Sequence, residues 1–516
     1  MTTKEETFIT DVAIAVAGSV DSGKSSLIGV LISGELDDGN GKARKLVAKH
    51  PHEIETGKTS SISTKMCKLD KRDGVRRAVT LIDLCGHEKY FKTTSFGISG
   101  YFPDYAFVIV SANRGILPMT KQHIRLLLAL NVQLVFIITH VDTTPHEIYM
   151  ATCEAITKIC KLYAGKNTST MFLNTMDDYV RFTEDPEKEN ANIALKTPEI
   201  VKTVHDILTN TGGRQLTYPV LTISNKNGFY IDVLRSLVDV LPQRAFWSPT
   251  NDSSVTNNKI IKFFKAHIDP ALIPEHTTFN GSIFYIDSAY NPPGIGLVVT
   301  GINRGTPVQP GNTMYMGPIG KDFIEVRVKS LHNNVRQNVD SLDDHHRGCI
   351  AFAPRKAEIT RDKIGKGMLM ISPLSLAKNL CFHFKAAITV FNASITLKTG
   401  YSPVIHMSTI RQTAKLILPK STEEPTDDKK DHELVLTTGN VAVVTFKFKI
   451  KPEFLEPYNL FVFRSGDIHG FGMVIAPISL DVDTDGKPDM VRKFHRRMAG
   501  PRHAHKPKSI PVVKKI

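Results

Sequence analysis

The stretch GSVDSGKSS, residues 18–26, stands between two apolar runs, VAIAVA (residues 12–17) and LIGVL (residues 27–31). Its spacing, Gly-x4-Gly-Lys-Ser, predicts a phosphate-binding loop between a buried strand and a helix. The glycines allow a tight turn that aims N–H groups at phosphates, the lysine reaches the outer phosphates, and the serine binds Mg²⁺. The alternative is a glycine turn that only precedes a core helix. The predicted nucleotide-binding residues are Gly18, Ser19, Val20, Asp21, Ser22, Gly23, Lys24, Ser25 and Ser26.

The segment AVTLIDLCGHEKYF, residues 78–91, supplies a second part of the same site. Its apolar residues predict a buried strand, and Asp83 at the strand end is placed to hold Mg²⁺ through water. Gly86 follows three residues later, where its N–H is free to meet a γ-phosphate. His87 comes next and is a candidate for orienting an attacking water, although a purely structural histidine is the other interpretation.

Two further strand ends predict that the base is guanine. The run NVQLVFIITHVD ends in Asp142, whose carboxylate is placed to accept two hydrogen bonds from guanine. Thr139 and His140 stand where GTPases usually have Asn and Lys, so we expect a weakened clamp that releases GDP without a dedicated exchange factor. The later strand YPVLTIS is followed by a loop suited to the edge of the base. That loop supplies Ser224, Asn225 and Lys226.

Composition limits the remaining possibilities. A chain of 516 residues suggests two to four domains, and 41% hydrophobic residues suffice for large buried cores. No apolar run approaches the ~20 residues of a membrane span, and the charged N-terminus favours the cytoplasm over secretion. The net charge of +14 is concentrated in residues 492–516, with nine Lys or Arg and no acidic residue. This composition predicts a flexible basic arm for phosphate backbones, or else a solubilising tail.

These motifs resemble the G domain of translational GTPases such as elongation factor Tu. The likeness rests on GSVDSGK and on GHEKYFKTT (residues 86–94). HEIETGKTSS (residues 52–61) and the threonine at position 139 resemble the elongation-factor-like branch called GTP-binding proteins 1 and 2. The resemblance extends over residues 10 to 480.

The resemblance implies an α/β P-loop GTPase domain followed by two β-barrel domains. It implies that Thr59 closes on Mg²⁺ and the γ-phosphate, which makes Ser25, Thr59 and Asp83 the metal residues. Catalysis would then rest on His87, Lys24 and Thr59. Asp21 matches an acidic residue that helps to hold a monovalent cation. Lys58 stands where elongation factor Tu has an apolar residue near the catalytic histidine.

The predicted domains follow composition. The G domain takes residues 1–247, with a surface insertion at about 165–215 that we interpret as a charged loop and an amphipathic helix. After a polar linker (248–260), residues 261–375 and 376–480 show short alternating segments between Gly and Pro, which predict two barrels. Residues 481–516 form the basic tail. The six cysteines contain no Cys-x-x-Cys pair, which favours reduced thiols over disulfides or zinc.

Two functions remain open from the sequence. The first is a monomeric GTPase that binds GTP or GDP with Mg²⁺ and delivers aminoacyl-tRNA to the ribosome, which stimulates hydrolysis. The second is a GTP-controlled adaptor in ribosome rescue or mRNA decay, whose cargo is a protein factor rather than tRNA.

Overall fold

The computed structural model describes twelve segments of the chain. Lys58, most of the linker and the basic tail lie outside them. No helix among the described residues is both long and apolar enough to cross a membrane. The described segments are residues 8–9, 12–57, 59–69, 76–209, 216–243, 258–275, 280–355, 359–365, 367–391, 396–418, 435–465 and 467–478.

The first domain is built on one mostly parallel sheet of eight strands. Its order is β1-β4-β2-β5-β6-β8-β7, with β3 antiparallel on β4. The strands are β1 (Phe8–Ile9), β2 (Ala13–Gly18), β3 (Ser63–Lys68), β4 (Arg76–Asp83), β5 (Tyr105–Ser111), β6 (Gln133–Thr139), β7 (Thr168–Phe172) and β8 (Leu216–Thr222).

Ten α-helices are described, nine of them in the first domain. They are α1 (Lys24–Ser33), α2 (Lys42–Lys45), α3 (Pro51–Thr56), α4 (Phe91–Gly100), α5 (Pro118–Ala129), α6 (His146–Ala164), α7 (Met176–Glu184), α8 (Pro186–Thr209), α9 (Ile231–Val240) and α10 (Lys259–His267).

The buried strands of this sheet position the site. Strands β2 and β5 are buried at every residue, as expected where helices cover both faces of a parallel sheet. Ligands of such sheets bind beyond the carboxyl ends of the strands. The phosphate loop follows β2, Asp83 ends β4, Thr139 ends β6, and Ser224 comes just after β8. Segments far apart in sequence therefore meet at one edge.

The region predicted as an insertion differs from its sequence interpretation. Strand β7 pairs with β8 as the edge of the central sheet, so this part belongs to the domain framework. The charged stretch interpreted as a loop is helical from Pro186 to Thr209. Proline suits the first turn, the Asp185 carboxylate accepts from the Lys188 N–H at 3.1 Å, and Glu, Lys and Ala are good helix formers. The charged residues of this stretch therefore belong to the solvated face of a helix.

Two closed six-stranded barrels follow, which confirms the predicted fold class. The first closes through β11–β12 pairing and the second through β17–β23 pairing. The strands of the first are β9 (Ser282–Tyr290), β10 (Val298–Gly305), β11 (Thr313–Ile319), β12 (Asp322–Asn333), β14 (Arg347–Pro354) and β15 (Leu369–Ser372), with β13 (Asn338–Val339) beside β12. The second has β17 (His383–Val390), β18 (Val404–Met407), β19 (Ile410–Ile417), β20 (Val441–Phe448), β22 (Leu460–Ser465) and β23 (Asp467–Ile478), and the short strands β16 (Leu380–Cys381) and β21 (Glu453–Phe454) pair separately.

Helix α10 lies where the sequence predicted the end of the linker and the start of barrel strands. The Asn258 side chain caps it by accepting from two backbone N–H groups. Ile261 and Phe264 are buried one turn apart, and the Phe264 ring lies 5.8 Å from that of Phe471 in the second barrel. The segment KIIKFFKAH therefore forms an amphipathic helix that packs on the second barrel.

The three domains are in contact with one another. Helices α4 and α5 pack against strands of the second barrel, where the Arg464 guanidinium lies 4.8 Å from the Phe91 ring centre. The first barrel reaches the G domain through Arg347, which donates to the backbone oxygen of Tyr101. The protein is therefore a compact arrangement in which both barrels touch the nucleotide-binding domain.

Candidate nucleotide site

A cleft of about 430 Å³ opens at the carboxyl edge of the sheet. Most of the predicted site residues line it, together with seven that the sequence motifs did not indicate. The predicted residues in the lining are Val20, Asp21, Gly23, Lys24, Ser25, Ser26, Thr59, Gly86, His87, His140, Asp142, Asn225 and Lys226. The additional ones are Asp37, Gly39, Asn40, Gly41, Arg44, Gly57 and Thr143.

The loop between β2 and α1 needs its glycines for close backbone approach. A Cβ on Gly18 would collide with the carbonyl oxygen of Ile109, and Gly23 has φ +84°, in the left-handed region. Lys24 begins α1, is 6% exposed, and donates from Nζ to the Ser19 carbonyl at 2.6 Å. Burial lowers the pKa of Lys24. An anion in the cleft would raise the pKa of Lys24 again, because a nearby negative charge stabilises the charged ammonium.

Helix α5 supports the phosphate loop from below, a contact that the sequence motifs did not reveal. His123 accepts at Nδ1 from the Gly18 N–H at 3.1 Å, and the Thr120 hydroxyl lies 2.6 Å from the Ser19 hydroxyl. Burial lowers the pKa of His123 to about 3, so the ring is neutral and able to accept. The segment MTKQHI (residues 119–124) therefore holds the phosphate loop in place.

The three predicted metal residues converge. The Ser25 hydroxyl donates to Asp83 Oδ2 at 2.8 Å, and the Thr59 hydroxyl donates to the same atom at 3.3 Å. Asp83 is 1% exposed, its Oδ1 has no hydrogen-bond partner among the described residues, and burial raises its pKa to about 6. Hydroxyl and carboxylate oxygens suit Mg²⁺, and the unpartnered Oδ1 leaves an acceptor for a metal-bound water. These residues fit the metal.

Thr59 is placed by a clamp centred on Glu53, which the motifs did not indicate. One carboxylate oxygen accepts from the N–H and hydroxyl of Ser60 and from the Ser61 N–H, at 2.7 to 3.1 Å. The other accepts from the N–H groups of Lys49 and His50, at 2.8 and 3.2 Å. Burial alone would raise the pKa of Glu53, but these hydrogen bonds lower it to about 2. The clamp joins both ends of the segment that carries Thr59.

Glu53→Gln should open this clamp, because an amide nitrogen cannot accept from the N–H groups that face it. We expect a loss of about 1–3 kcal/mol in unfolding free energy and slower GTP hydrolysis. Since Glu53 has a lowered pKa, its contribution is fully present above its unfolded pKa of about 4.5 and declines as the pH falls toward 2. Denaturant unfolding of both proteins measures the difference.

Glu35→Gln is the matched control, since Glu35 is exposed and only pairs with Lys42 at the surface. The difference between wild type and Glu53→Gln should be constant from pH 5 to 8 and shrink below about 4.5. Equal stability of the two variants at pH 7 would show that the clamp does not hold the segment.

Gly86 and His87 lie at the phosphate end of the cleft. A Cβ on Gly86 would stand 2.5 Å from Lys24 Nζ, so only glycine lets the loops approach this closely. His87 is half-buried and accepts at Nδ1 from the Lys89 N–H at 3.1 Å. In the neutral ring the proton is then on Nε2, which is available as a donor. This arrangement leaves His87 able to hydrogen-bond a ligand in the cleft.

The residues predicted for guanine also belong to this cleft or adjoin it. Asp142 Oδ1 accepts from the Ser224 hydroxyl at 3.1 Å, and the same hydroxyl oxygen accepts from the Lys226 N–H at 3.3 Å. His140 follows Thr139 in a left-handed conformation, with its ring beside Gly23. Burial lowers the pKa of His140. The imidazole therefore occupies the wall of the cleft beside the phosphate loop.

Six of the predicted residues do not line the cleft: Gly18, Ser19, Ser22, Asp83, Thr139 and Ser224. Thr139 donates from its hydroxyl to the Ser22 carbonyl at 2.8 Å and is 1% exposed. It supports the phosphate loop from beneath. Asp83 also lies behind the cleft surface, where it accepts hydrogen bonds from the Ser25 and Thr59 hydroxyls.

Asp21, predicted to help hold a monovalent cation, faces a guanidinium. Arg114 Nη1 lies 3.4 Å from Asp21 Oδ2, and both side chains are about half exposed. A positive group already stands beside this carboxylate. The cation hypothesis remains a prediction.

The segment from residue 37 to 44 closes the cleft on a side that the motifs did not predict. The Asp37 N–H donates to the Asn225 carbonyl at 2.9 Å, which ties this segment to the loop at the guanine end. The chain then passes Gly39 and Gly41, both with positive φ, into the short helix α2. Arg44 of that helix enters the lining.

Comparison with known proteins agrees with this geometry. Residues 10–243 match the elongation factor Tu GTP binding domain. GTP-binding protein 1 of Xenopus laevis is 30% identical over 488 residues, covering 90% of this chain and 63% of that protein, so the chain spans less than two thirds of this relative. GTP-binding protein 2 of Homo sapiens is 29% identical, covering 90% of this chain and 69% of that protein.

Among solved structures, the bacterial selenocysteine-specific elongation factor EF-Sec shares the fold. Its TM-score is 0.58 at 16% identity, with 95% of this chain and 62% of that chain covered. The sequence match, the P-loop cleft and the two closed barrels lead to the same assignment. Residues 10–243 therefore form a GTP-binding domain of the elongation factor Tu family, in a chain that is similar over 90% of its length to GTP-binding proteins 1 and 2.

Proposed function

We propose that this protein binds GTP with Mg²⁺ and hydrolyses GTP to GDP and phosphate. The observation that carries the proposal is that Lys24, Ser25, Thr59 and Asp142 line one cleft. Asp83 lies behind it and accepts from the Ser25 and Thr59 hydroxyls. The chemistry of these residues matches the triphosphate, the metal and the base. The phosphates of a nucleotide would add negative charge beside buried Lys24, whose charged form Asp83 already favours.

Positioning and electrostatics account for the chemistry that these residues would perform. Lys24 and the loop N–H groups bind the β- and γ-phosphates, and the Gly86 N–H donates to the γ-phosphate. Bound Mg²⁺ would neutralise phosphate charge. His87 orients the attacking water by a hydrogen bond. His87→Ala should therefore retain nucleotide affinity while hydrolysis falls on the order of 10²-fold or more.

We propose further that the GTP state acts on the ribosome and carries aminoacyl-tRNA. Support comes from the match to the elongation factor Tu GTP binding domain and from both barrels touching the G domain. A change in conformation at Thr59 or His87 that depends on the bound nucleotide is therefore able to reach the second barrel through the helices packed on it. Helix α4 begins four residues after His87 and packs directly on the second barrel.

Filter binding of labelled aminoacyl-tRNA tests this assignment. The protein is loaded with a non-hydrolysable GTP analogue or with GDP, and uncharged tRNA serves as competitor. We expect tight binding of charged tRNA only in the GTP-analogue state. Equal, weak binding in both states would exclude tRNA as the cargo and favour a protein partner in ribosome rescue or mRNA decay.

A further inference from the structure

Arg44 is a cation in the cleft that none of the recognised GTPase motifs includes. It lines the same cleft as Lys24, Thr59 and Gly86, the residues at the phosphate end. It comes from α2, a four-residue helix outside the phosphate loop and the strand ends. Its presence adds a second positive charge where a triphosphate would lie.

The backbone that carries Arg44 is held against the phosphate-loop helix. The Ala43 N–H donates to Asp37 Oδ1 at 2.9 Å, which anchors the start of α2. A Cβ on Gly29 of α1 would collide with the Ala43 carbonyl, so α2 packs directly on the α1 backbone. Because Lys24 begins α1, the position of Arg44 is fixed relative to the loop.

Two glycines make room for the guanidinium. Gly41 and Gly57 have φ +86° and +67°, and a Cβ on either would meet the Arg44 side chain. Nη1 is the nearest atom at Gly57, which precedes Thr59 by only two residues. The guanidinium therefore lies beside the segment that brings Thr59 to the metal residues.

One nitrogen of the half-buried Arg44 guanidinium also lacks an acceptor among the described residues. Its Nε is buried without a hydrogen-bond partner, and the side chain forms no ion pair within the described segments. A buried cationic donor without an acceptor is costly, and a polyanionic ligand would remove that cost. Phosphate oxygens match the planar fork of arginine.

We propose that Arg44 donates hydrogen bonds to phosphate oxygens of bound GTP and stabilises the charge that develops during hydrolysis. The inference rests on the proposed GTPase function. In that reaction the water oxygen bonds to the γ-phosphorus as the bond to the β–γ bridging oxygen breaks. The bridging oxygen leaves with the electron pair as part of GDP, and the proton of the water passes to the phosphate product. An arginine supplied by the same chain serves this role in other P-loop GTPases.

The test compares Arg44→Ala and Arg44→Lys with Lys45→Ala, which removes the adjacent exposed charge of α2. Two quantities are measured for each full-length protein: the single-turnover rate of GTP hydrolysis and the affinity for GDP with and without aluminium fluoride. The fluoride complex mimics the transferring phosphoryl group. Thermal unfolding confirms that each variant is folded, and Arg44→Lys keeps most of the packing if Arg44→Ala is unstable.

We expect Arg44→Ala to slow hydrolysis on the order of 10³-fold and to lose the tightening by aluminium fluoride, while GDP affinity changes by less than about tenfold. Arg44→Lys should be intermediate, because an ammonium keeps the charge without the fork. If the wild type hydrolyses GTP and Arg44→Ala hydrolyses it as fast as Lys45→Ala does, the role of Arg44 is overturned while the proposed GTPase function stands. An equal loss of GDP and fluoride-complex binding would also overturn it. A wild type without any GTP turnover would overturn the proposed function, and this inference with it.

Discussion

Replacing Lys24 by alanine is expected to weaken GTP binding by about 10²- to 10³-fold, the largest effect of any single change in the phosphate loop. Its ammonium is buried at the start of α1 and lies 2.5 Å from where a Cβ on Gly86 would stand. Lys24 is the only basic residue of the loop, so no other side chain of the loop is able to replace this charge beside Gly23 and Gly86. Titration with a fluorescent GTP analogue measures the loss.

The control for this change is Lys45→Ala, which removes an exposed charge from α2. It should bind the analogue as the wild type does. A Lys24→Ala protein that is folded and binds within about threefold of wild type would mean that the glycine-rich turn does not hold phosphates.

Asp142→Asn should exchange guanine selectivity for xanthine selectivity. Guanine presents two donors, N1–H and the N2 amine, to the carboxylate, whereas xanthine presents an oxygen at position 2. Because the Ser224 hydroxyl donates to Oδ1, the amide oxygen of Asn is expected at that atom and the amide nitrogen at the place of Oδ2. A site built to pair polar groups rejects a ligand that leaves them unpaired, so we expect discrimination between GTP and xanthosine triphosphate of order 10⁴.

Competition between GTP and xanthosine triphosphate for the labelled analogue measures this switch. Asp206→Asn on the exposed face of α8 is the control and should leave the preference for GTP unchanged. If Asp142→Asn retains wild-type affinity for GTP and ignores the xanthine nucleotide, the carboxylate is not in contact with the base.

The sequence was most informative where function needs contiguous residues. A phosphate loop must present its glycines, Lys24 and Ser25 within one turn, so its spacing is visible without a structure. The strand ends at Asp83 and Asp142 were recognisable because a buried strand has a continuous apolar sequence. The alternating segments of residues 261–480 likewise predicted two barrels, and the structure has both.

Residues that act across the fold were not recognisable. His123 supports Gly18 from 105 positions away, and the Glu53 clamp and Arg44 depend on how short polar segments fold over the cleft. No periodicity marks such contacts. Helix α8 was misinterpreted in part for a related reason, since charged residues on a solvated helix have the same composition as a loop.

We propose that this protein is a GTPase that works on the ribosome. The most direct measurement is the rate of GTP hydrolysis by the wild-type protein alone, with ribosomes, and with ribosomes plus charged or uncharged tRNA. We expect slow hydrolysis by the protein alone and strong acceleration by ribosomes with charged tRNA, lost in His87→Ala. A rate that ribosomes leave unchanged, with or without tRNA, would contradict the account.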